Sequence, residues 1–389
     1  MFQPLAEAFA HRDPSASVLI VTGAQKVDSD PLPDSIDFVK LPSIRSSASL
    51  ASLQPVRGSG YAWRGLWAIR EALLHETARA FDPHLLIGDN EPNGMLGELA
   101  RSLKLVREQT PAAKTVLGTF DFLGDRDGVH ERWNQEGGMA ALERYDRILV
   151  FGQQEIFDPA TAYDFPESAR NKTRFPGYLV RNPSTQEHAV RAKWRAEPSQ
   201  PFVVIAAGGG EDGHHLLNAA MDAASSFPEA RILVVTGPLM AESDRADLHT
   251  RDIGSNVLLV NSVSELSTII AAADVVVIKG GYNSVAEAVR AGKRPIIVPR
   301  DDGWTEQRQR AVRFAELGLA KVILPSELSS DRLAGEIRSA LALDASPPNL
   351  MRTDGIERAV DELVSLALPP DQRWRPRSLV AATLIPDRA

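Results

Sequence analysis

Short aliphatic runs alternate with amphipathic segments along the chain, the pattern that βαβ units on parallel sheets produce. In the first half the runs predict strands at Ser17–Thr22, Ile36–Lys40, His84–Gly88, Thr115–Thr119 and Arg147–Phe151, with helices at Ala62–Phe81 and Val129–Tyr145. A second series starts at Phe202. It predicts strands at Phe202–Ala207, Arg231–Val235, Val257–Leu259, Asp274–Ile278 and Pro295–Pro299, and helices at His214–Phe227, Val263–Ala272, Val285–Ala291 and Thr305–Leu317. Between the two series, "TRFPGYLVRNPSTQEHAVRAKWRAEPSQP" mixes Pro, Asn, Ser and charge without a sustained period, which puts a junction near Val180–Gln200. The expected organisation is an α/β first domain over 1–185, an α/β second domain over 200–368, and an irregular Pro- and Arg-rich tail over 369–389.

Composition narrows the picture. A chain of 389 residues with 43% hydrophobic content suits two cores. The net charge of -8 argues against general nucleic-acid binding, which depends on clustered Lys and Arg. Cysteine is absent, so disulfides, thiolate metal sites and a Cys nucleophile are excluded together. The N-terminus has no basic stretch followed by an apolar one, and no run of about 18 apolar residues occurs, so neither a signal peptide nor a transmembrane segment is predicted and a cytoplasmic location is expected.

In an open parallel sheet, ligands bind beyond the carboxyl ends of the strands. Three loops of the second half reach that edge: "AAGGGEDGHH", "TGPLMAES" and "IKGGYNSVAEA". Glycine lets backbone approach a ligand closely, and the free N–H groups of the following helix favour an anion such as a diphosphate. Gly280 and Gly281 alone fit a tight strand-to-helix turn equally well, and Ser284-x-x-Glu287 fits a capping box. Gly208-x-Gly210-x-x-Gly213 matches a dinucleotide fingerprint, but the following strand ends "VVTGPLM" without the carboxylate that would hold a ribose. His214 and His215 lack further ligands at metal spacing.

Taken in order, "VVIAAGGGEDG", "IKGGYNSVAEAVRAGKRPIIVPR" and "EQRQRAVRFAELG" resemble the donor-binding half of an inverting GT-B glycosyltransferase of family 28, the group that includes the peptidoglycan N-acetylglucosaminyltransferase. "HLLIGDNEPNGMLGEL", "ALERYDRILVFGQQEIFD" and "FPGYLVR" are similar to segments of bacterial predicted glycosyltransferases. The resemblance implies GT-B architecture, two Rossmann-like parallel-sheet domains facing a cleft. It implies a nucleotide-sugar donor, with UDP preferred, and no obligatory metal or other cofactor. It assigns Gly208, Gly209 and Gly210 to the loop facing the diphosphate, Gly281, Asn283 and Ser284 to phosphate at a helix N-terminus, Glu287 to the ribose hydroxyls and Gln307 to the donor sugar, with Gly280 counted to the same donor site. Arg310 stands where the family has Asn. Lys279 and Arg300, at strand ends, are candidates to neutralise phosphate.

The same resemblance leaves a gap. The family's base comes from a loop after the first strand of the first domain, whereas this chain begins "MFQPLAEAFAHRDP", similar to the end of the helix that follows that loop. A first domain lacking its first strand is therefore expected, with upstream coding sequence to supply it. A missing central strand leaves buried amides unpaired at about 1–3 kcal/mol each. Asp89 and Asp121, each after an apolar run, are the candidate bases, and both also fit turn or N-cap roles. Tyr61, Trp63 and Trp67 are candidates for an acceptor platform or a packed helix face. The acceptor class stays open between lipid-linked and small molecules, the former placing the protein at the inner membrane surface. A nucleotide-sugar hydrolase or 2-epimerase on the same fold, suggested by "RDDGWTE", and an inactive nucleotide-sugar-binding protein are the alternatives.

Overall fold

The computed structural model describes residues 2–24, 32–45, 54–55, 63–135, 137–180, 187–251, 253–300, 305–342, 347–367 and 377–383. They fall into two units, Met1–Leu179 with Arg352–Asp387, and Val180–Met351.

In the first unit the aliphatic runs become β1 (Ala16–Thr22) and β2 (Ile36–Lys40). Two short strands, β3 (Ile44–Arg45) and β4 (Gln54–Pro55), pair with each other. Then come β5 (Leu85–Asp89), β6 (Lys114–Phe120), β7 (Arg147–Phe151) and β8 (Thr173–Arg174). The predicted helix Val129–Tyr145 is two helices, Arg126–Gln135 and Gly138–Leu142, because Gly137 takes a left-handed φ of 63° that breaks the ladder.

The second unit carries β9 (Phe202–Ala206), β10 (Arg231–Val235), β11 (Val257–Val260), β12 (Val275–Ile278), β13 (Ile296–Ile297) and β14 (Lys321–Val322) in the order β11-β10-β9-β12-β13-β14, all parallel. Its central strands are buried along their whole length, as the continuous runs FVVIA and RILVV require when helices cover both faces.

The chain then returns to the first unit. Helix Gly355–Ala367, expected in the second domain, belongs to the first. Gly355 lies against the 177–178 backbone so closely that a Cβ there would be 2.3 Å from the Tyr178 carbonyl oxygen. Arg12 and Arg147 reach Asp361 and Glu362 of this helix at 2.8 and 3.6 Å.

After it comes β15 (Arg377–Thr383), in a stretch expected to be irregular tail. It lies between β1 and β5, giving the all-parallel order β2-β1-β15-β5-β6-β7-β8. Ala16–Thr22 pair residue by residue with Arg377–Thr383, and Leu379–Ala382 pair with Leu85–Gly88. The place where unpaired inner edges were expected is thus filled from the far end of the chain. The apolar run Leu379–Ala382 has the composition of a strand covered on both faces. Among the described residues no helix is long and apolar enough to cross a membrane.

Candidate functional site

In the second sheet the strand order reverses between β9 and β12, so the loops at their carboxyl ends diverge around the natural ligand position of an open parallel sheet. The loop after β9 is held by backbone. Leu239 N donates to Gly209 O at 2.7 Å, and Gly213 N to Gly210 O at 3.1 Å. Gly210 has φ 97°, and a Cβ on it would stand 2.3 Å from the Thr236 carbonyl oxygen, so only glycine lets these two loops pack. Helix His214–Ala224 starts at Gly213 and helix Tyr282–Arg290 at Gly281, neither with a side-chain cap. Their first N–H groups are donors that an anion suits.

The two glycines after β12 have different jobs. A Cβ on Gly280 would lie 2.8 Å from both Cβ and the carbonyl oxygen of Gln307, so this glycine admits the close approach of helix Glu306–Glu316. A Cβ on Gly281 meets nothing within 4 Å. Gln307, 4% exposed, accepts from Gly280 N at 3.1 Å and Arg300 N at 3.3 Å through Oε1. Arg310 donates from Nη1 to Gly280 O at 2.8 Å and sits 5.8 Å from the Tyr282 ring centroid. Gln307 and Arg310 thus hold Gly280 at its N–H and at its carbonyl, in two successive peptide groups.

Asn283 is exposed, and Ser284 and Glu287 are half-buried. Spacings of four and three residues put Asn283 and Ser284 on the Glu287 face of the helix. The helix begins at Tyr282 and its N-cap is Gly281, so Ser284 is not an N-cap and the capping-box reading of Glu287 falls. Lys279 and Arg300 are both withdrawn from water, their side chains 10% and 9% exposed, and both face Asp212 of the glycine loop. Sequence reasoning singled out Arg310 but passed over Asp212; "GGGEDG" placed an acid inside the expected phosphate loop, and that was the available signal.

In the first unit, Asp89 ends β5 and Asp121 follows β6. Asp121 is fully buried and accepts from Phe122 N and from the Tyr178 hydroxyl, each at 2.8 Å. Asp89 is 2% exposed. Beside them a polar network went unread in the sequence. Asn90, at φ 62°, accepts through Oδ1 from Thr119 Oγ1 at 2.8 Å and from Phe120 N at 3.2 Å, and Glu91 accepts from Trp133 Nε1 at 2.7 Å. Trp67 packs on Ile44, Leu66 and Met95, a helix-face role. Tyr61, the Trp63 side chain and most of "RDDGWTE" lie outside the described residues. His214 pairs with Asp247 at 2.9 Å, and no group of three or more metal-binding side chains occurs among the described residues.

Residues 203–362 match the glycosyltransferase family 28 C-terminal domain. The chain is 23% identical over 378 residues to a Geobacter sulfurreducens UDP-N-acetylglucosamine–N-acetylmuramyl-(pentapeptide) pyrophosphoryl-undecaprenol N-acetylglucosamine transferase, covering 93% of both. A Nocardioides protein of the same name is 24% identical over 236 residues, 56% of this chain and 63% of the relative. Among solved structures, the calicheamicin glycosyltransferase CalG4 superposes with TM-score 0.62 at 17% identity, covering 94% of each chain. A Listeria monocytogenes structure assigned to UDP-N-acetylglucosamine 2-epimerase superposes with TM-score 0.61 at 12% identity, covering 97% of this chain and 94% of that one. At such identities the superpositions speak to fold alone, whereas the family match spans the sheet and loops that build the site. Residues 203–362 thus form a glycosyltransferase family 28 C-terminal domain, in a chain with the GT-B fold.

Proposed function

We propose that the protein transfers a sugar from a nucleoside-diphosphate sugar, with UDP as the carrier, to an acceptor hydroxyl with inversion at the anomeric carbon. The observation that carries this reading is the switch point of the second sheet. There the open face of Gly281, two helix N-termini without side-chain caps and the withdrawn cations Lys279 and Arg300 come from loops bordering the same sheet edge. The choice of UDP rests on the names of the relatives. Glu287 is assigned to the ribose hydroxyls, because a carboxylate accepts hydroxyl hydrogen bonds well and repels phosphate. Gln307 uses its oxygen on backbone, so its Nε2 is the group assigned to the sugar.

In the reaction the acceptor oxygen attacks the anomeric carbon, the bond to the β-phosphate oxygen breaks, and the diphosphate leaves with the electron pair. Lys279, Arg300 and helix-terminal amides stabilise the charge that develops there, so the assigned roles call for no metal. The acceptor proton goes to a base, assigned first to Asp89, which ends β5, with Asp121 after β6 as the second candidate. The acceptor is assigned to a lipid-linked or small-molecule alcohol, the former following the relatives' names. The test is mass spectrometry of products from cell extract supplied with labelled nucleotide sugars. Transfer gives a glycosylated product and one nucleoside diphosphate per sugar. Free sugar or an epimerised donor in acceptor-free buffer identifies a hydrolase or epimerase and defeats the proposal.

A further inference from the structure

Asp212 is an acid inside a loop that the proposed function assigns to phosphate. Its carboxylate lies 3.0 Å from Lys279 Nζ and 3.7 Å from Arg300 Nε, and its side chain is only 25% exposed. Lys279 Nζ also reaches the Asp212 carbonyl at 3.4 Å. Asp212 Oδ2 is buried without an aligned hydrogen bond, so the contact is a charge pairing at loose geometry and not a bidentate clamp. Two cations this close together need an anion between or beside them, and their attraction for it is little screened where water is excluded. A donor phosphate at the same loop needs the same two cations.

We propose that Asp212 and the donor's diphosphate compete for Lys279 and Arg300, so that Asp212 sets the strength of phosphate binding and speeds product release. This rests on the donor-site reading above. A sugar-linked diphosphate carries about two negative charges, whereas the free nucleoside diphosphate carries about three near neutral pH because its terminal phosphate ionises again. A purely cationic site therefore holds product more tightly than substrate. A resident carboxylate weakens both and offers the cations a partner as product departs. Asp212 is a tuning residue in this scheme and takes no part in bond making or breaking.

The test is calorimetric titration of UDP, inorganic pyrophosphate and uridine into the full chain and into Asp212→Asn, Asp212→Ser and Asp212→Glu, each checked by melting. Two neutral replacements are used so that at least one folded protein reports. The expected result is that a neutral replacement tightens UDP and pyrophosphate at least fivefold in low salt, with the gain shrinking as salt rises. Uridine binding should not change, and Asp212→Glu should stay within twofold of the wild type. In turnover, the neutral variants should lower kcat and KM together, as slower product release requires. If the wild type binds UDP while a folded neutral variant binds it equally or more weakly, Asp212 only positions Lys279 and this inference is overturned with the donor site intact. If the wild type binds neither UDP nor pyrophosphate, the donor reading itself fails.

Discussion

Replacing Ala381 with proline tests whether the far end of the chain is part of the first sheet. Ala381 sits in the middle of β15, opposite Ile20 of β1 and Ile87 of β5. Proline has no N–H to give to the ladder, and its ring crowds the neighbouring strand, which is why it is absent from central strands. The lost donor leaves a buried acceptor unpaired at about 1–3 kcal/mol, and the displaced backbone brings the total to about 3 kcal/mol. For a domain of this size that lowers the melting temperature by about 6–12 °C. Circular-dichroism melting measures it, and UDP affinity, a property of the second unit, should be unchanged. Were residues 377–383 a solvated tail, the substitution would be nearly neutral. A melt within about 1 °C of wild type therefore refutes the placement of β15.

The remaining predictions concern single side chains. Glu287→Ala should weaken UDP binding by about 1–3 kcal/mol in titration while the protein stays folded in a parallel melt; a lowered melt with intact affinity would return it to a structural role. Gly280→Ala should destabilise the second unit by about 1–3 kcal/mol in thermal melts, because the added methyl meets Gln307 at 2.8 Å. Arg70 and Glu98 form a buried bidentate pair at 2.7 and 2.6 Å, so Arg70→Met should cost about 3–5 kcal/mol in denaturant unfolding, and the double change Arg70→Met with Glu98→Leu much less. Asp89→Asn should lower kcat at least a hundredfold with unchanged donor affinity; wild-type turnover would remove Asp89 as the base.

Particular elements show what a sequence can reveal here. Strands such as Arg147–Phe151 and Arg231–Val235 were legible to the residue, because a central parallel strand must be apolar on both faces and its run ends where the sheet ends. The glycine turns themselves were legible because glycine marks places where backbone passes backbone, as at Gly210. Helix Tyr282–Arg290 was read as starting three residues late, since Tyr282 and Asn283 carry no helical signal of their own and Gly281 gives no recognisable cap. The location of β15 could not be read. Its seven residues look like a short apolar patch in an Arg-rich tail, and what makes them a strand is a slot between β1 and β5 built from residues far away in the chain. Helix Gly355–Ala367 was misplaced for the same reason, as its partners Arg12 and Arg147 lie far back in the first unit. The polar network around Asn90 and Glu91 was hidden because burial of polar groups depends on tertiary pairing that no local pattern announces.

The most direct measurement is titration of UDP into Gly281→Val. Gly281 has φ −64° and ψ 143°, a conformation any residue adopts, and a Cβ there touches nothing within 4 Å, so a side chain can start from this position without backbone strain. If a diphosphate lies against this turn, the isopropyl group occupies its place. The account predicts a melting curve superimposable on wild type and UDP affinity reduced by about 30-fold or more, the equivalent of about 2 kcal/mol. Wild-type UDP affinity in the folded variant would contradict the claim that the carboxyl edge of the second sheet is where the donor binds.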